Sequence, residues 1–171
     1  MRVAVKETTV YNFEELPEEA QRHAIEKYWD MNVDCDWWEF TYMDASDIGL
    51  EITGFNLRRG QECTGKLERT ALDVANKILE NHGPDSDTYK TATAYIQAYK
   101  DLALKAAFSD DEDEDAEYFD TEDIDDEFLN SLLNDYWSIL QKEYDYLTSD
   151  KVVRETLIAN EYEFTVEGNI Y

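Results

Sequence analysis

The groups best equipped for chemistry in this chain of 171 residues are carboxylates: 41 Asp and Glu stand against 15 Lys and Arg. Thirteen of the acids fall within residues 110–127. There Asp111, Asp113, Asp115 and Glu122 occupy the first, third, fifth and twelfth places of a calcium-loop pattern, which would offer oxygen ligands to a hard cation. The sixth place is Ala116, where the sharp turn of that loop requires glycine. A run composed mostly of acids meets such spacing by chance. The expectation is therefore loose association with divalent cations and no resident metal or cofactor. Carboxylate pairs are so frequent that none is marked out as a general acid and base.

Other reactive types are sparse. His23 and His82 are far apart in sequence, and Cys35 and Cys63 form no CxxC pair. Two cysteines in a chain of this length do not make a disulfide scaffold, so they read as reduced thiols, with a single bridge as the alternative. No GxSxG, HExxH, Walker loop or GxGxxG occurs. Nothing here argues for an enzyme. Arg58-Arg59-Gly60 reads as a solvated turn.

The charge itself is the larger signal. The formal net charge is −26. Asp110, Asp111, Glu112, Asp113, Glu114, Asp115, Glu117, Asp120, Glu122, Asp123, Asp125, Asp126 and Glu127 lie in a stretch without Lys or Arg between Lys105 and Lys142. With Asp135 that stretch holds 14 acids, and the rest of the chain still carries 27 acids against 15 bases. Such a protein is not drawn to phosphate backbones or anionic membranes; its partners are basic surfaces. The 23 aromatic residues exclude a wholly disordered acidic chain. Carboxylates along helices and loops can approximate the charge row of duplex DNA, so a basic nucleic-acid groove is a natural fit. Trp37 and Trp38, adjacent within an acidic cluster, and Tyr118, which interrupts the run, are candidate aromatic anchors. Adjacent tryptophans point different ways on a helix, so both cannot enter one core stripe.

The elements that must position these groups follow from periodicity and breakers. Arg2 to Val10 alternates like a strand. Pro17-Glu18-Glu19 opens a helix reaching about Met31, and a second runs from Trp37 to Ile48 before Gly49. Leu50 to Arg58 and Glu62 to Leu67 read as a hairpin. Helical spacing returns over Leu72 to Leu79, stops at Gly83-Pro84, and resumes from Thr88 to Phe108. The strongest amphipathic stripe runs from Phe128 to Leu147. Ser149 caps a further helix to about Ala159, and Tyr162 to Val166 closes as a strand. The order predicts an α+β fold, a small and mostly antiparallel sheet of about four strands packed against about six helices. It reads as one domain over residues 1–171, with residues 109–127 as an acidic loop, partly disordered or beginning a helix. No apolar run spans a membrane, and residues 1–7 lack a signal-peptide core, so the expectation is a cytoplasmic protein.

The block Thr9-Val10-Tyr11-Asn12-Phe13-Glu14-Glu15-Leu16-Pro17-Glu18-Glu19-Ala20, with Ala24-Ile25-Glu26-Lys27-Tyr28, resembles the opening of a family of acidic bacteriophage and mobile-element proteins. Asp36-Trp37-Trp38-Glu39, Ile48-Gly49-Leu50 and Glu161-Tyr162-Glu163-Phe164 are similar to it as well. The family carries no assigned activity, is sometimes labelled antitoxin-like, and transfers no catalytic residue. The resemblance implies a phage or mobile-element origin. By analogy of class it implies an anti-defence role, anti-CRISPR or anti-restriction, in a bacterial host. The expected function is an acidic inhibitor that mimics DNA and blocks a basic nucleic-acid-binding site. The alternatives are a neutraliser of a basic toxin and a divalent-cation-binding accessory protein.

Overall fold

The computed structural model describes residues 8–58, 60, 62–107 and 120–171. Within them the fold is α+β and comprises two compact units, residues 1–37 with 142–171, and residues 38–141.

The first unit begins with β1 (Tyr11–Asn12), which pairs antiparallel with β4 (Glu163–Phe164), Tyr11 opposite Phe164. A single 3-10 turn, Phe13–Glu15, leads to α1 (Glu18–Lys27), entered through Pro17 with Glu18 and Glu19 at the positive end of its dipole. Helix α6 (Asp150–Ala159) is capped by Ser149, whose hydroxyl accepts from the Val152 amide at 3.4 Å. Phe13, Leu16, Ala20, Ala24, Val153, Leu157 and Phe164 form the core, with Phe13 and Phe164 edge to face at 5.9 Å. The last residues fold back: Ile170 bridges to Phe164, and its N–H donates to the Tyr28 hydroxyl at 2.9 Å.

The second unit holds α2 (Glu39–Ile48), β2 (Leu50–Asn56), β3 (Glu62–Leu67), α3 (Ala71–Asn81) and α4 (Asp87–Ala107). It also contains residues 122–141 of α5 (Glu122–Leu147), whose last turns belong to the first unit. Helix α2 stops at Gly49, whose φ of +91° suits glycine and closes the helix by donating to the Ser46 carbonyl at 3.0 Å. The hairpin β2–β3 is antiparallel, with an irregularity between Ile52 and Gly54. Its inner face enters a core of Ile48, Leu50, Val74, Ile78, Leu132 and Tyr136. On the outer face the Lys66 ammonium meets Glu51 at 2.7 Å. That contact holds the Glu51 carboxyl below its usual range and the Lys66 ammonium above its own.

Four strands among the described residues thus form two separate two-stranded antiparallel sheets, where a single small sheet was expected. The reason is their placement: β1 and β4 belong to one unit, and β2 and β3 to the other. Most of the expected strand at Arg2–Val10 lies outside the described residues; Thr8, Thr9 and Val10 are not strand, and pairing starts at Tyr11. Helix α5 starts six residues before Phe128, inside the acidic run, so Glu122–Glu127 are helical. Among the described residues no helix is long and apolar enough to cross a membrane.

Candidate partner-binding surface

The first turns of α5 bring together part of the acidic set. Glu122, Asp123, Asp126 and Glu127 are exposed, while Asp125 is half-buried. Two features explain why a helix starts on so many acids. Carboxylates in a first turn complement the dipole, and the Asp120 side chain accepts from the Glu122 N–H at 2.9 Å. Ile124 and Phe128, four residues apart, turn one stripe to the core. Asp125 lies on the same side and is held by two hydroxyls, Tyr95 donating to Oδ1 at 2.6 Å and Thr121 to Oδ2 at 2.9 Å. Burial, and then this bond to a carboxylate, keeps the Tyr95 phenol protonated well above its ordinary range. The exposed ion pairs Lys66–Glu68, Lys77–Glu80 and Lys90–Asp87 sit on other elements. Asp110, Asp111, Glu112, Asp113, Glu114, Asp115, Glu117 and Tyr118 lie outside the described residues, as do three of the four calcium-pattern acids. Among the described residues no cluster of three or more His, Cys, Asp or Glu could hold a metal.

Beside these turns, α4 and α5 leave a cleft of about 190 Å³. Its α4 wall is Thr91, Ala94, Tyr95 and Ala98, and its α5 wall includes Ile124, Glu127, Phe128 and Ser131. Each set follows helical spacing i, i+3, i+4, i+7, so each is one helix face. The largely buried Tyr95 and Phe128, rings 4.6 Å apart, line it together with the exposed Glu127. The two helices are pinned by Tyr95–Asp125 and by Thr91, which donates to Asp135 Oδ2 at 2.6 Å.

The two tryptophans part company. Trp37 is half-buried in the first unit, its ring 5.8 Å from that of Tyr144. Trp38 is half-buried in the second, 5.8 Å from Phe55 and edge-on, and it precedes α2, where the sequence placed it inside the helix. Each ring packs against an aromatic of its own unit and stays partly exposed. The large apolar side chains that α2 presents to solvent are Phe40 and Met43, 77% and 55% exposed.

One constellation carried no local sequence signal. Asp44 accepts from the Tyr136 hydroxyl at 2.7 Å, and its other oxygen lies 3.6 Å from His82 Nε2. His82 Nδ1 shares a hydrogen bond of 2.7 Å with the Thr88 hydroxyl, itself 3.2 Å from Ser86 Oγ. Carboxylate, imidazole and hydroxyl stand in the order of a nucleophilic relay. The geometry does not suit one: 3.6 Å is too long for a hydrogen bond, and Thr88 is 2% exposed with its hydroxyl engaged on both sides. The hydrogen bonds tie α2 to α5 through Asp44 and Tyr136, and the end of α3 to α4 through His82 and Thr88. Cys35 and Cys63 are both free.

Comparison with protein-family models, with curated proteins and with solved structures returns no match.

Proposed function

We propose that this protein is a non-enzymatic acidic inhibitor of phage type, which mimics nucleic acid and occupies the basic groove of a host-defence protein such as a CRISPR effector or a restriction enzyme. The observation that carries the reading is the distribution of charge. Residues 38–141 hold 25 acids against 8 bases, a net of −17, and residues 106–141 hold no base at all. Self-repulsion at this density works against the compact state, so a use for the field is the economical explanation. The exposed carboxylates Glu122, Asp123, Asp126 and Glu127 on the first turns of α5 support the reading, since they present part of that charge to solvent.

The test is affinity capture from a bacterial lysate on the immobilised full chain, eluted by a salt gradient. A second column carries a variant with the acids of 110–127 changed to Asn and Gln. The mimic should retain nucleic-acid-binding proteins that duplex DNA displaces, and the variant should release them at much lower salt. Equal retention on both columns overturns the reading. Exposed Phe40 and Met43 favour a second reading, a neutraliser of a basic toxin through shape-specific contacts. It predicts one cognate partner held with modest salt dependence.

A further inference from the structure

We infer that the cleft between α4 and α5 is a socket for one arginine side chain of a protein partner. This deepens the proposed function by naming a contact for its basic partner, and it rests on that reading for the partner though not for the chemistry. The volume of about 190 Å³ is smaller than the roughly 300 Å³ at which pockets for drug-sized ligands begin. It is comparable with the apolar cavity of about 150 Å³ that takes a single benzene. One long side chain is the occupant of that size.

The lining sets its chemistry. Ala94, Ala98 and Ile124 offer aliphatic wall to a methylene stem, together with the largely buried rings of Tyr95 and Phe128. Ser131 and the exposed Glu127 also line the cleft, which brings one acid to it. An anion would be repelled by that acid, and an apolar occupant would draw no attraction from it. A slender cation satisfies both parts. Arginine fits better than lysine because its flat guanidinium can lie on an aromatic surface and donate two parallel hydrogen bonds to one carboxylate. The cleft is also pre-formed, since Thr91–Asp135 and Tyr95–Asp125 fix the spacing of the helices before anything binds.

The probe is N-acetyl-arginine methylamide, titrated into the full chain and followed by NMR shifts of backbone amides and alanine methyls. The lysine and leucine analogues serve as comparisons. Saturable shifts at Ala94, Ala98 and Ser131, with affinity in the order arginine, lysine, leucine, are expected. Glu127→Gln keeps the volume and should weaken binding about tenfold or more, since a charge-assisted contact is lost. Ala98→Leu fills the cleft and should abolish the local shifts, with circular dichroism checking that the helices persist. Shifts spread evenly over exposed carboxylates such as Glu14 and Glu18, or indifferent to Glu127→Gln, overturn the socket, as does preferred binding of the leucine analogue. Because the probe is a small molecule, its binding stands or falls apart from the lysate capture. An intact socket with no salt-sensitive partner would leave the arginine site and remove the mimic.

Discussion

The Tyr136 hydroxyl donates to Asp44 Oδ2 at 2.7 Å, joining the middle of α5 to α2 across 92 positions of sequence. Tyr136 is completely buried, whereas the Asp44 side chain is about half exposed (53%), so the bond fastens a core residue to the surface of a neighbouring helix. Tyr136→Phe keeps the ring and its packing. It should cost about 1.5–3 kcal/mol, the range for a hydrogen bond to a charged group, with water able to reach Asp44 and hold the loss toward the lower end. Denaturant unfolding measures it. An unchanged midpoint would mean that the bond contributes nothing net.

The same residue predicts a pH dependence. Burial first, and then the bond to Asp44, raise the Tyr136 phenol far above its ordinary value near 10. Tyr95 is raised in the same direction. Above about pH 10 the unfolded chain releases protons that the folded chain retains, so stability must fall as pH rises. Below that value the contribution is complete. Unfolding midpoints measured from pH 8 to 11.5 should decline beyond about pH 10. Tyr136→Phe, which removes the titrating group, should flatten the decline.

Cysteine chemistry should divide by unit. Cys35 is exposed, while Cys63 on β3 is half-buried opposite Phe55. Burial pushes the Cys63 thiol up to about 11. The thiolate is the nucleophile, so at pH 8 Cys63 offers almost none of it. Iodoacetamide labelling followed by peptide mass spectrometry should modify Cys35 first and Cys63 only slowly, until the chain is unfolded. Equal rates at neutral pH would contradict the half-buried position of Cys63.

Much of the helical layout is legible in the sequence, because local devices mark its ends. Pro17, Gly49, Gly83-Pro84 and Ser149 each sit at a boundary that the structure bears out within a few residues. What stays hidden is whatever depends on distant partners. Strand β1 is two residues long and exists only because Phe164, far along the chain, lies opposite Tyr11. The start of α5 is masked by charge: a run of acids reads as loop, yet acids suit a helix N-terminus, and Ile124 four places before Phe128 was the available sign. Asp44, His82, Thr88 and Tyr136 have no spacing that connects them before folding. The cleft is likewise invisible, since it arises from two helix faces with small residues at Ala94, Ala98 and Ser131.

Gly168 is a point of low tolerance in the first unit. Its φ is +83°, and an added Cβ would run into the Ala20 carbonyl of α1. Alanine there combines left-handed strain with a backbone collision, so α1 or the chain end must shift. Gly168→Ala should lower stability by about 1–3 kcal/mol, whereas Gly83→Ala, whose Cβ would meet nothing within 4 Å, should change it little. Thermal melts of the two variants side by side supply the comparison. Equal effects would remove the collision from the account.

The acids of α5 should not be equivalent in stability. Glu122 and Asp123 lie in the first turn, where each gains about 0.3–1 kcal/mol from the helix dipole. Asp126 and Glu127 lie one turn further on, where that gain has faded, and each faces a like charge four residues back. Such i,i+4 pairs destabilise by about 0.2–0.5 kcal/mol each. Glu122→Gln with Asp123→Asn should therefore destabilise the chain, because the lost dipole term exceeds the relieved repulsion. Asp126→Asn with Glu127→Gln should leave stability unchanged or slightly raised. Unfolding at low ionic strength resolves the two, and the difference should shrink in 0.5 M salt, where the Debye length falls to about 4–5 Å. A second-turn pair that destabilises as much as the first would mean those carboxylates have intramolecular partners, and would weaken the case that they are held out for a basic one.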